Sequence, residues 1–122
     1  MAIIEGLRDQ SITNVGIVYS QHHGHEQVER FGELMRLMKP YLLCLNLNGM
    51  VRDADRLGKK IVLLGQGELD LPLLRLIQES GWHGPVGILN HTDEDAEVRL
   101  RENLDGLDRL VRQLEDESVP AP

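Results

Sequence analysis

The sequence has few of the residues that form crosslinks, metal-binding knuckles or base-stacking surfaces. One of its 122 residues is cysteine, Cys44, which excludes an internal disulfide and a cysteine-rich zinc site. We therefore expect a reducing, cytoplasmic compartment. Aromatic residues make up 3% of the chain, too few for a platform on which bases stack. No apolar run approaches the about 20 residues that cross a bilayer, and residues 1–10 lack the apolar block of a signal peptide.

Basic residues are also scarce relative to acidic ones. Lys and Arg number 13 against 20 Asp and Glu, which gives a formal net charge of −7. Such a surface repels phosphate backbones and anionic lipids, so we expect neither nucleic acid nor membrane among the partners. Hydrophobic residues make up 41% of the sequence, enough for one soluble domain with a single core.

Three short apolar runs alternate with segments of helical periodicity. The predicted strands are residues 15–20, 42–48 and 84–90, and the predicted helices are residues 2–9, 26–39, 70–81 and a last helix through residues 100–114. This βα order predicts an α/β fold: a parallel (βα)n unit with three main strands, each followed by a helix. We expect the domain to cover residues 1–115 and residues 116–122 to form a disordered tail.

Polar side chains collect where the predicted strands end. His22 and His25 follow the first strand, Asn46 and Asn48 occupy the second, and His91 follows the third. Parallel α/β proteins bind ligands beyond the carboxyl ends of their strands, so these residues predict a ligand site. Each residue also has an ordinary structural role open to it, since asparagines satisfy loop backbone and histidines are common in solvated loops.

Alternation along the second strand predicts which side chains meet the helices. Leu43, Leu45 and Leu47 should face the covering helices, and Cys44, Asn46 and Asn48 should face away.

Two further patterns leave alternatives open. Gly65-Gln66-Gly67 before Asp70 forms either a phosphate cradle or, as we favour, a tight turn ahead of a helix that Asp70 caps. The apolar stripe of the last helix comprises Leu100, Leu104, Leu107, Val111 and Leu114. It fits packing on the sheet, which we favour, or a coiled-coil seam.

Several motifs occur together in a fixed order and resemble those of bacterial sugar phosphate isomerase/epimerase proteins, in the xylose isomerase-like TIM-barrel superfamily. They are VGIVYSQHHGHE (15–26), LNLNGM (45–50), LGQGELD (64–70), GPVGILNHTDEDAE (84–97) and LRENLDGLD (100–108). The resemblance implies that the chain corresponds to the C-terminal half of such a barrel, because a full barrel needs about 250 residues. The partner would then be a second copy or an N-terminal half-barrel.

The resemblance also implies a function, proton transfer next to the carbonyl of a sugar or sugar phosphate. His22 would be the catalytic residue and Arg52 a contact to phosphate or hydroxyl. The other substrate contacts would be His25, Asn46, Asn48 and His91. Members of the superfamily bind a divalent metal such as Mn, Mg or Zn. The resemblance does not assign the metal ligands of this chain, because Tyr19 stands where those members usually have an acid. The alternative is a non-catalytic, truncated half-barrel that serves as an assembly or sugar-binding module; a DNA endonuclease fits the acidic charge least.

Overall fold

A three-stranded parallel sheet forms the centre of the molecule. A computed structural model describes residues 2–59, 61–90 and 94–118. Strands β1 (Ile17–Ser20), β2 (Leu42–Leu47) and β3 (Val86–Ile88) lie in the order β1-β2-β3, and both pairs run parallel. The predicted α/β class and parallel sheet are confirmed. β1 begins two residues later than its apolar run, β2 ends one residue earlier, and β3 is shorter at both ends.

Helical segments precede, connect and follow the strands. They are α1 (Ala2–Asp9), two 3₁₀ segments (Gln21–His23 and His25–Arg30), α2 (Phe31–Met38), α3 (Ala54–Leu57), α4 (Asp70–Ser80) and α5 (Ala96–Ser118). Gly81 ends α4 with a left-handed φ of 73°, as its position predicts. The helix predicted from residue 26 begins as a 3₁₀ segment, because Gly24 and Arg30 offer no capping side-chain hydrogen bond before Phe31.

Helix α5 extends beyond the predicted end of the domain. Residues 116–118, predicted as part of a disordered tail, are helical. The Glu117 carboxylate accepts hydrogen bonds from Arg75 at 2.6 and 2.8 Å, which ties this last turn to α4. Residues 119–122 lie outside the described part of the chain.

A β-bulge interrupts the alternation along β2. Ile17 pairs with Leu42 and the next residue, Val18, pairs with Cys44, so Leu43 has no partner in β1. Leu43 is 56% exposed, and the expectation that it faces the helices is wrong. The Leu43 side chain occupies the position where a Cβ at residue 16 would lie, which explains why a glycine stands just before β1.

One face of the sheet is covered and the other is open. Helices α2 and α4 pack against each other over the covered face, and Met35, Leu45 and Leu47 are buried between sheet and helices. On the open face, Val18 is exposed, and Ser20, Cys44 and Asn46 are half-buried. Sheets of this kind bury both faces in most α/β proteins, so the open face is available to a ligand or a partner.

Helix α5 packs through only part of the predicted stripe, Leu107 and Leu114, and through residues beside it. Asn103, Gly106 and Leu110 are buried, and α5 lies against α4. The Asn103 side chain accepts a hydrogen bond from the Leu64 backbone N–H at 2.9 Å, and Gly106 comes so close to the Leu64 carbonyl that a Cβ would collide with it. These contacts set the orientation of α5 about its own axis. The expectation that the whole leucine stripe packs on the sheet is therefore wrong.

Among the residues that the structure describes, no helix is both long and apolar enough to cross a bilayer.

Candidate functional site

A cleft of about 300 Å³ lies between the loops that follow β1 and β2. Both loops leave the carboxyl ends of their strands, where ligands bind in parallel α/β folds. Its charged and titratable lining residues are His25, Glu26, Arg52, Asp53 and Arg56. The structure thus brings together His25 and Arg52, two of the residues predicted to bind substrate.

Arg52 is the cation of this cleft that a ligand can use. Its backbone N–H donates to the Glu68 carboxylate at 2.7 Å, which fixes the loop. Its guanidinium group makes no ion pair within the described chain, whereas Arg56 pairs with Asp53 at 3.4 Å. A guanidinium group presents donors in a planar fork that matches phosphate and carboxylate oxygens.

Asn46 lies on the open face of the sheet, near the carboxyl ends of the strands. Its Nδ2 donates to the Ser20 hydroxyl at 3.1 Å, because these two residues are register partners in neighbouring strands. Gly87 of β3 is the partner on the other side, and a Cβ there would collide with the Asn46 oxygen. The amide is therefore held in one orientation, with a second Nδ2 hydrogen left to donate.

Asn48 lies in the interior. It has no exposed surface, and its Nδ2 donates to the Gly49 carbonyl at 2.9 Å. With Gln21 and Asp70 it lines a small pocket of about 10 Å³ against α4, close to the size of one water molecule. The expectation that Asn48 faces away from the helices is wrong, because β2 ends at Leu47 and strand alternation no longer applies.

The histidines take different positions after β1. His22 is half-buried in the first 3₁₀ segment, which packs against β2, and its ring centroid lies 3.7 Å from that of His23. His25 is half-buried in the second segment, at the cleft. His91 lies outside the described residues.

Asp70 is the buried polar residue whose role the sequence does not predict. It is the first residue of α4, and its carboxylate accepts hydrogen bonds from the backbone N–H groups of Met50 (2.6 Å), Gly65 (2.8 Å) and Gly67 (2.9 Å). Burial raises its pKa, and the three N–H donors lower it in part. Asp70 therefore joins the loop after β2 to the glycine turn rather than capping α4.

This arrangement decides between the two interpretations of Gly65-Gln66-Gly67. A phosphate cradle needs backbone N–H groups that point at the ligand. The N–H groups of Gly65 and Gly67 already donate to Asp70, and Gly67 packs directly on the Met50 backbone. The segment is a tight turn, as favoured. An acid three residues after a Gly-x-Gly turn is the sequence feature that identifies this internal carboxylate.

The donor set for a metal is not assembled by the described residues. They contain no group of three or more His, Cys, Asp or Glu side chains close enough to hold an ion. Tyr19 packs near Phe31 with ring centroids 5.9 Å apart, and burial raises its pKa. The described residues therefore do not form a divalent metal site.

Comparison of the chain with protein-family models, curated proteins and solved structures returns no match.

Proposed function

We propose that the chain binds a small sugar phosphate in the cleft between the loops after β1 and β2, as an isomerase- or epimerase-like protein. The observation that carries the proposal is the Arg52 guanidinium, which lines the cleft without an ion pair in the described structure. A phosphate dianion would replace water at this group and form a bidentate, charge-assisted contact.

The rest of the cleft suits hydroxyl groups. Sugar hydroxyls need both donors and acceptors, and the cleft lining offers His25 together with the carboxylates of Glu26 and Asp53. Its volume of about 300 Å³ is at the lower end of the range for small-molecule pockets. We therefore propose a substrate with few carbons rather than an oligosaccharide.

The proposed chemistry is proton transfer between carbons next to a carbonyl. His22 would remove the proton on the carbon beside the carbonyl, and the electron pair would move to the carbonyl oxygen as an enediolate. The second Nδ2 hydrogen of Asn46 would donate to that oxygen, since Ser20 holds the amide in place. Return of the proton to the neighbouring carbon, with transfer of that carbon's hydroxyl proton to the former carbonyl oxygen, would isomerise the sugar. Epimerisation would instead need a second group that protonates the opposite face of the first carbon.

The wider architecture supports the same proposal. Three parallel strands with their helices on one side correspond to an arc of a TIM barrel, whose inner face would be the open face here. We propose that the sheet is such an arc. The free thiol of Cys44 on this face suits a reducing, cytoplasmic compartment.

Incubation with candidate sugar phosphates in D2O tests the proposal, because proton transfer exchanges the hydrogen beside the carbonyl and removes its NMR signal. We expect exchange with the wild type and none with His22→Gln. His83→Gln is the matched control, since His83 is an exposed histidine in the loop before β3. Absence of exchange with every ketose and aldose phosphate would overturn the catalytic part of the proposal.

Binding is tested separately from catalysis. We expect a sugar phosphate to raise the melting temperature of the wild type and not that of Arg52→Gln. Arg30→Gln is the control, because Arg30 is exposed and pairs with Glu33 away from the cleft. An equal effect of the ligand on both variants would exclude Arg52 as the phosphate contact.

The open face of the sheet favours a second candidate, a non-catalytic assembly or sugar-binding module. Within the part of the chain that the structure describes, β1 and β3 each pair on one side only, and Val18 on the open face is 59% exposed. Unpaired strand edges promote association with another sheet. Ligand-induced stabilisation without hydrogen exchange would favour this candidate, and hydrogen exchange by His22-dependent turnover would exclude it.

A further inference from the structure

An apolar stripe on α5 is left uncovered by the rest of the described chain. Leu100, Leu104 and Val111 are 49%, 48% and 40% exposed. Their spacing of four and seven residues places them along one line of the helix, about 16 Å long. Single exposed leucines are common on protein surfaces, whereas a line of three on one helix marks an interaction surface.

The packing of α5 explains why this stripe stays outside. The buried side of the helix is held by Asn103, which hydrogen-bonds to Leu64, and by the close approach of Gly106 to the same residue. Leu107 and Leu114, which continue the stripe, turn towards the core and are partly or fully buried. The exposed line therefore runs along the edge of the buried side, where a second helix can lie against it.

Charged residues beside the stripe favour one occupant. Glu97 and Arg101 form an ion pair at 2.6 Å, and Asp108 and Arg112 form another at 3.0 Å. At 100° per residue, all four lie on the same flank of the stripe. In an antiparallel helix pair, this flank meets the same flank of the other helix.

We infer that α5 is the contact surface of a two-fold dimer of this chain, with the two α5 helices antiparallel. Placing Leu104 of each copy against Leu107 of the other brings Leu100 against Val111. Arg101 then lies beside Asp108 of the second copy, and the two-fold axis repeats the pair. A parallel pairing would instead set Arg101 and Asp108 beside Asn103 and Leu110, which are buried within their own copy.

The surface predicts a weak dimer. A stable interface buries about 800 Å² on each partner, more than three half-exposed side chains and their flank provide. We expect a dissociation constant on the order of 100 µM, with a small apolar centre and a charged rim. The inference is independent of the proposed sugar site, because no residue of the cleft lies on α5.

Sedimentation equilibrium over about 10 µM to about 1 mM tests the dimer. Leu104→Glu should weaken association at least about tenfold, because it places a carboxylate on the apolar line of both copies. Leu37→Glu is the matched control, since Leu37 is 42% exposed on α2, and it should associate like the wild type. Circular dichroism confirms that each variant is folded.

A charge exchange tests the antiparallel arrangement. Arg101→Asp and Asp108→Arg should each weaken the dimer about threefold to tenfold, because each creates two like-charge contacts across the axis. The double variant Arg101→Asp/Asp108→Arg should restore association close to that of the wild type. A double variant as weak as the single variants, a wild type that stays monomeric at the highest concentration, or association unaffected by Leu104→Glu would overturn the inference.

Discussion

Replacing Asp70 with alanine should destabilise the fold strongly, because one carboxylate holds three backbone groups. Its Oδ1 accepts from the buried Met50 N–H, and its Oδ2 accepts from the part-buried N–H groups of Gly65 and Gly67. A buried N–H without a partner costs about 1–3 kcal/mol. Water can reach the two part-buried groups, so we assign each of them about 0.5 kcal/mol. The expected loss is about 3 kcal/mol, a large share of the about 5–15 kcal/mol of a typical domain.

Urea unfolding followed by circular dichroism and by Trp82 fluorescence measures this loss. Trp82 is a suitable probe because its Nε1 donates to the Leu42 carbonyl at the start of β2. Asp105→Ala is the matched control, since Asp105 is exposed on α5, and its free energy of unfolding should change by less than about 0.5 kcal/mol. A change below about 1 kcal/mol for Asp70→Ala, or an equal change in the control, would refute the role assigned to this carboxylate.

Three further outcomes follow from the packing and the electrostatics. Burial raises the pKa of Asp70 above its ordinary value of 3.8. At a pH between 3.8 and the raised pKa, the folded chain therefore binds more protons than the unfolded chain. The difference in free energy of unfolding between wild type and Asp70→Asn should therefore fall as pH rises above 3.8, which urea titrations at a series of pH values will measure. Gly106→Ala should lower the free energy of unfolding by about 2 kcal/mol or more, because the added Cβ meets the Leu64 carbonyl. Gly6→Ala, which adds a Cβ into open space on α1, should be neutral or slightly stabilising in thermal unfolding. In the same assay, Leu45→Ala should lower the free energy of unfolding by about 2–5 kcal/mol and Leu43→Ala by less than about 1 kcal/mol. Equal effects of the two substitutions would contradict the bulge in β2.

Local sequence patterns predict the order of the elements well. The apolar runs around Ile17, Leu45 and Gly87 become the parallel strands, and Gly81 ends α4 where a left-handed residue is needed. These features depend on neighbouring residues and backbone conformation, which the sequence shows directly.

The orientation of individual side chains depends on contacts distant in sequence. Alternation fails at Leu43 because Val18 pairs with Cys44, a register that only the assembled sheet sets. Three residues of the α5 stripe, Leu100, Leu104 and Val111, stay outside because Gly106 and Asn103 dock on Leu64, about 40 residues away in the chain. Long-range packing of this kind overrides the helical periodicity of one segment.

In the candidate site, too, the sequence predicts the position of some residues and not of others. Residues directly after β1 and β2 meet at one cleft, as the parallel topology requires, and these include His25 and Arg52. Asn48 instead turns into the interior, because its position follows the last residue of β2. The role of Asp70 depends on three backbone groups from two separate loops, an arrangement that no single motif contains.

The most direct test of the proposed site is a titration of ¹⁵N-labelled protein with a sugar phosphate, followed by two-dimensional NMR. We expect saturable shifts of the backbone signals of His25, Arg52 and Asp53, and we expect these shifts to disappear in Arg52→Gln. A second cleft, lined by Arg36 and Lys39, lies between α2 and α4. Shifts confined to that cleft, or the absence of any saturable shift, would contradict the proposed site.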